Sequence, residues 1–170
     1  YSNEGTRQCA EMIWAGEIGN VTEVHAWTNR PVWPQGLQAQ PPEEPVPSTM
    51  DWDSWLGISE TRPFSSKIAP FNWRGYFDYG CGALGDMACH ILGAPNMALM
   101  LGAPTSVECI KQEGKSSFTF ASKSIIRFDF PARGAMPAVK IFWYDGLEGE
   151  PENLPASVPR GEPLGDLPRQ

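Results

Sequence analysis

The chain predicts an α+β domain, and three observations carry that expectation. An early helical segment is followed by one alternating segment, a glycine run at residues 80–85 leads into an apolar helix, and beyond Pro104 short alternating segments are separated by turns. At 170 residues and 41% hydrophobic, the chain can bury one core. A formal charge of -7 and a pI near 4.8, without a dense Lys/Arg cluster, argue against nucleic acid as a partner. No apolar run reaches the roughly 18 residues that a bilayer span needs, so no membrane partner is expected. No signal peptide is recognisable, and because Tyr1 is not an initiator methionine the natural start stays open.

Taken in order, Gly5 to Gly16 places Cys9, Met12, Ile13 and Gly16 at helical spacing, with Gly16 as the stop. After a turn at Gly19-Asn20, Val21 to Thr28 alternates as a strand, with Val21, Glu23, His25 and Trp27 on one face and Thr22, Val24, Ala26 and Thr28 on the other. From Asn29 to Phe71 the chain is irregular, but Trp33, Trp52, Trp55 and, just beyond, Trp73 argue for an ordered loop. Within it, Thr49 to Leu56 suits one or two helical turns capped by Thr49 or Asp51. A second helix is expected from Ala83 to Leu101, with an interruption at Gly93-Ala94-Pro95, where proline removes a donor. Strands follow at Ser106 to Gln112, Ser117 or Phe118 to Phe120, Ser124 to Phe130 and Ala138 to Tyr144, as an antiparallel meander. The domain is expected to span 1–145, and the proline-rich 146–170 to form an extended tail or lid.

The chemistry concentrates in Gly80-Cys81-Gly82-Ala83-Leu84-Gly85-Asp86-Met87-Ala88-Cys89-His90. If the glycines end a loop and helix follows, Asp86 and His90 share a face, and the carboxylate can orient the imidazole for proton transfer. The same spacing suits a buried helix start whose glycines allow close packing, with a satisfied histidine. Gly80 to Gly85 also reads G-x-G-x-x-G, the dinucleotide fingerprint, and Glu108 lies at about the right distance for its ribose-binding acid. That fingerprint needs a buried apolar strand before it and a βαβ unit around it, whereas residues 72–79 are charged and contain no β-branched side chain. The four cysteines, Cys9, Cys81, Cys89 and Cys109, show no C-x-x-C spacing. Cys81, Asp86, Cys89 and His90 are close in sequence, but Cys89 lies about 100° from His90 on a helix, and no metal is expected. His25 is either a site residue or an ordinary strand histidine.

The run from Trp73-Arg74-Gly75 to His90 resembles the Gfo/Idh/MocA family of NAD(P)-dependent oxidoreductases. The similarity extends to Gly16-Glu17-Ile18-Gly19, Asn29-Arg30-Pro31-Val32-Trp33-Pro34-Gln35-Gly36, Asp51-Trp52-Asp53-Ser54-Trp55-Leu56-Gly57 and Leu101-Gly102-Ala103-Pro104. These segments resemble a bacterial, dehydrogenase-like subgroup and together cover roughly residues 5 to 145. The resemblance implies the C-terminal substrate domain only: a mostly antiparallel mixed sheet with helices packed on one face, the N-terminal Rossmann domain being absent. The family's nucleotide fingerprint and its Glu-Lys-Pro motif have no counterpart here, and the chain is expected to stop before the family's closing strands. NAD or NADP would be bound mainly by the missing domain, so the fragment alone is expected to be inactive.

The family's Asp and His motif falls on Asp86 and His90, which implies His90 as the catalytic base and Asp86 as its orienting or relay partner. Ala88 stands where the family often has glycine. Trp73 and Arg74 are implied to approach both nicotinamide and substrate, and Tyr76, Asp78, Arg30 and Trp33 to contact a polyhydroxylated ligand. The implied reaction passes hydride from a sugar or polyol carbon to NAD(P). Two alternatives remain: an NAD-dependent glycoside hydrolase of the same fold, and a non-catalytic carbohydrate-binding or oligomerisation module. A homo-oligomer through the sheet face is expected, and location, cytoplasmic or exported to a bacterial periplasm, stays open.

Overall fold

A computed structural model describes residues 4–149 together with Pro151, Glu152 and Leu154. Helix α1 (Glu4–Trp14) ends as expected: Gly16, at φ +81°, donates its N–H to the Ile13 carbonyl at 3.0 Å. Its packed side differs from expectation, for Cys9 and Met12 are exposed while Ala10 is buried. The small Ala10 lets α1 lie closely against Ala98 and Leu99, and the Trp14 indole donates to the Ala98 carbonyl at 2.8 Å.

Strand β1 (Glu23–Trp27) keeps the predicted alternation, with Ala26 buried and Glu23 and Trp27 exposed. It joins β2 (Ser106–Glu113), β3 (Lys123–Phe130) and β4 (Val139–Asp145) in a four-stranded sheet of order β1-β4-β3-β2. The last three strands form the expected antiparallel meander. Strand β1 lies parallel to β4, with Val24 opposite Ile141 and His25 opposite Phe142. A parallel pair needs a long connection, and the aromatic loop with its helices supplies it.

The first core fills one face of this sheet: Val139, Ile141 and Phe130 meet Ala10, Ala98, Leu99 and Leu101. On the other face His25 stacks on Phe142, ring centroids 5.0 Å apart, and its Nδ1 and Nε2 lie 2.8 Å from the Tyr144 hydroxyl and 2.6 Å from Glu23. This histidine has partners on both nitrogens.

The segment around Phe118 to Phe120 is not a strand. Thr119 forms one isolated bridge to Tyr76, the Phe120 N–H goes to the Gly75 carbonyl at 2.9 Å, and the Phe120 carbonyl accepts from Gly36. The Phe118 and Thr119 N–H groups turn back to the Ser116 hydroxyl, and the Phe118 carbonyl accepts from Phe77, so these groups serve a turn and its neighbours and not a ladder. That loop is ordered around a second core of Trp52, Leu56, Phe64, Ile68, Ala69 and Tyr76.

Helix α2 (Trp52–Leu56) is capped by Asp51, which accepts from the Ser54 N–H at 3.0 Å and the Ser54 hydroxyl at 2.8 Å. These bonds, the backbone one foremost, hold the Asp51 carboxyl below its ordinary 3.8. With the folded value depressed, the stabilisation is complete above the unfolded value and is lost as pH falls through the folded one. Asp51→Asn keeps a capping oxygen and removes the titration. The stability difference between wild type and variant should therefore shrink on acidification, followed by denaturant unfolding at stepped pH; a difference independent of pH would remove Asp51 from acid unfolding.

The expected second helix is two, α3 (Gly82–Ile91) and α4 (Gly93–Leu99), broken at Leu92. Pro95 then falls in the first turn of α4, where its missing N–H costs no helical bond. Beyond β4, Gly146 donates to the Arg30 carbonyl at 2.6 Å, and Pro151 and Leu154 are buried. The expected tail or lid thus begins as packed chain, and its remainder at 155–170 lies outside the described residues.

Candidate active site

The start of α3 is built by close packing around glycines. A Cβ on Gly80 would strike the backbone of Arg74, and one on Gly85 the Cys81 sulfur. Gly82 sits at φ +64° with the Phe120 ring 2.6 Å from the place of its missing Cβ. The space in front of this G-x-G-x-x-G is therefore filled by the domain's own atoms. What precedes it is a 3₁₀ turn (Asn72–Gly75), not a strand, so the run offers no cradle for a pyrophosphate.

Cys81 provides no side-chain cap for α3, and that task passes to Gln35 from the aromatic loop. Its Oε1 accepts from the Ala83 N–H at 3.1 Å and from the Trp33 indole at 2.9 Å, while its Nε2 donates to the Ala121 carbonyl at 2.5 Å. Local spacing carries no signal for this contact, because Gln35 and Ala83 are 48 residues apart. Gln35→Ala strips an acceptor from two part-buried donors, and unfolding experiments should show a loss of roughly 1–3 kcal/mol. A loss under a few tenths would mean that water replaces the side chain.

One turn into α3, Asp86 faces Arg74 rather than His90, its Oδ1 3.3 Å from the Arg74 Nε. The guanidinium also donates from Nη1 to the Phe71 carbonyl at 3.0 Å. Its Cζ lies 4.7 Å from the ring centres of both Phe71 and Trp73 and 5.9 Å from that of Trp33. Both charged side chains are partly exposed, 28% for Arg74 and 30% for Asp86, so the pair sits at a wet surface with aromatic walls. His90, one turn further along the same helix, is exposed and makes no hydrogen bond to Asp86. The expected carboxylate and imidazole contact is not formed; Asp86 meets the Arg74 guanidinium instead.

Among the expected site residues, Trp33, Trp73, Arg74 and Asp86 come together, with His90 beside them on α3. Tyr76 does not join them: it is fully buried in the second core and its hydroxyl donates to the Lys67 carbonyl at 3.2 Å. Burial pushes the Tyr76 phenol above its ordinary 10.0. Asp78 is exposed and paired with Arg62. Arg30 stands beyond the end of β1, where its guanidinium reaches Asn29 at 3.3 Å. No cluster of three or more His, Cys, Asp or Glu side chains suited to a metal occurs among the described residues.

Beneath α3, Ala88, Cys89 and Leu92 face Phe128, Phe130 and Ile141 across a cleft of about 460 Å³. Its walls are mostly apolar, unlike the outer side of the helix that carries Asp86 and His90. Another carboxylate, Asp145, is buried near the N-terminus of α3, where it accepts from the Ser124 N–H, the Ser124 hydroxyl and the Trp143 indole at 2.6, 2.6 and 2.9 Å. Burial raises its pKa above the usual range, with those bonds opposing. It ties β3 to β4 and has no role at the Asp86 face.

No curated protein matches the chain. A model of the oxidoreductase family, C-terminal alpha/beta domain, matches residues 14–118, from the end of α1 to the segment that braces the 3₁₀ turn, and on that match over more than half its length the chain belongs to the Gfo/Idh/MocA oxidoreductases as their C-terminal α/β domain.

Proposed function

We propose that this domain supplies the substrate side of a nicotinamide-dependent oxidoreductase acting on a sugar or polyol hydroxyl, with His90 as the base. The observation that carries the reading is the outer side of α3, where an exposed imidazole with no carboxylate bound to it stands one turn from an ionic Asp86 and Arg74 pair. A base must keep a ring nitrogen open for the incoming hydroxyl, and His90 does. His25, held on both nitrogens, does not.

When bound, the nicotinamide accepts the hydride. The glycine run is packed against the domain's own atoms, and on this reading a separate Rossmann domain would hold the nucleotide phosphates. His90 takes the hydroxyl proton as the carbon surrenders its hydride, which leaves a carbonyl product and an imidazolium. Asp86 places negative charge within a helical turn of that imidazolium. The aromatic walls of Trp73 and Phe71 suit the apolar face of a sugar ring.

The test is nicotinamide reduction by the full-length protein across a panel of aldoses, cyclic polyols and linear polyols, with NAD and NADP supplied separately. Reduction with at least one polyol supports the reading, and a panel without any reduction would sink it. Release of free sugar from a glycoside without net reduced nicotinamide would assign the domain to the NAD-dependent hydrolases instead.

A further inference from the structure

We propose that Arg74 is a specificity-determining residue that reads the hydroxyl beside the reacting one, with Asp86 balancing its charge so that the site selects an uncharged vicinal diol over a sugar acid. The inference rests on the oxidoreductase reading above and deepens it by naming the part of the substrate that is recognised.

A guanidinium carries five N–H donors. At Arg74 the Nε stands 3.3 Å from the Asp86 Oδ1, and one Nη1 donor goes to the Phe71 carbonyl at 3.0 Å. Even with Nε counted as engaged, three N–H groups have no protein acceptor among the described residues, and the second Asp86 oxygen, Oδ2, has no donor there. These groups are within reach of a ligand. Arg74 is 28% exposed and Asp86 30%, and the buried polar atoms without partners lie elsewhere, on Arg62, Tyr79 and Arg133. The pair therefore presents free donors and a free acceptor side by side.

A hydroxyl is the group that matches such a pair, because it accepts from Nη2 while it donates to Oδ2. A carboxylate in the same place can only accept, and the positive charge it would seek is already balanced by Asp86. The neighbouring position follows from α3: Asp86 and His90 are i and i+4, with Cβ atoms about 5–6 Å apart in such a pair. A substrate hydroxyl on the imidazole thus brings the substituent of the next carbon toward Asp86 and Arg74. Phe71 and Trp73, each 4.7 Å from the Arg74 Cζ, offer apolar surface to the C–H side of the same carbons. An analogue without the second hydroxyl would cover a donor and an acceptor and satisfy neither, which is how a polar site rejects a deoxy compound.

The test uses the full-length enzyme with three compounds: the best polyol from the panel, that polyol without the hydroxyl beside the reacting carbon, and the acid with a carboxylate there. Wild type should favour the parent over each of the others by about tenfold or more in kcat/KM. Arg74→Ala should narrow the preference over the deoxy compound to within about threefold, and Arg74→Lys, which keeps the charge without the planar fork, should recover part of it. Asp86→Asn leaves the guanidinium charge unbalanced and should raise the acid relative to the parent by about tenfold. Each ratio compares two substrates on one preparation, so partial unfolding of a variant does not move it. An undiminished preference in Arg74→Ala, or a wild type that prefers the acid, overturns the inference and leaves the oxidoreductase reading standing. A wild type that reduces no nicotinamide with any polyol overturns that reading instead. Titration calorimetry with the cyclic polyols of the panel and their monodeoxy analogues then tests the inference alone: a preference lost in Arg74→Ala supports it, and equal affinities or no binding overturn it.

Discussion

His90→Ala in the full-length enzyme should lower kcat by about 100-fold or more and leave nucleotide affinity nearly unchanged. The size follows from what a positioned base contributes, on the order of 10²–10⁴ in rate. The split between kcat and binding follows from position, for His90 is exposed on α3 and takes no part in either core. His25 is the natural control. It is the chain's other histidine, its ring is stacked on Phe142 at 5.0 Å, and both nitrogens are engaged. His25→Gln should change stability more than kcat, and His90→Ala the reverse. Unchanged turnover in His90→Ala would remove His90 from the mechanism.

Legibility in the sequence followed the range of the interactions. Strand β1 was readable because alternation is local, and Val24 and Ala26 face the helices while His25 and Trp27 face away, as expected. The break between α3 and α4 was readable because Pro95 acts on its neighbours. The pairing of Phe118 to Phe120 was not, since bulky alternating residues look the same whether their backbone joins a sheet or, as here, bonds to Gly75 and Gly36. At the site the identities of Asp86, Arg74, Trp33 and Trp73 were legible, but not their partners. Four-residue spacing suggested that Asp86 binds His90; tertiary packing instead brought the Arg74 guanidinium to it. Gln35 was invisible because its work lies on a helix far along the chain.

Gly82→Ala should cost about 2–5 kcal/mol of stability, the sum of roughly 1–2 for a left-handed backbone and roughly 1–3 for overpacking. Gly82 combines φ +64° with a Phe120 ring 2.6 Å from where the new methyl would sit. Gly102 separates the two causes, because it has the same φ of +64° and nothing within 4 Å of its missing Cβ. Gly102→Ala should therefore show the backbone cost alone, and the difference between the two denaturation midpoints measures the clash. Equal losses would mean that Phe120 swings aside at no cost, and the close packing assigned to this position would be wrong. The comparison also bears on the meaning of the glycine run. Glycine at a dinucleotide fingerprint is required by the approach of a ligand, so its replacement injures nucleotide affinity while the apo fold tolerates it. At Gly82 the approaching group is Phe120 of the same domain, so the loss should appear in unfolding without any nucleotide present, and α3 should lose with it the start that sets Asp86 and His90 on one face.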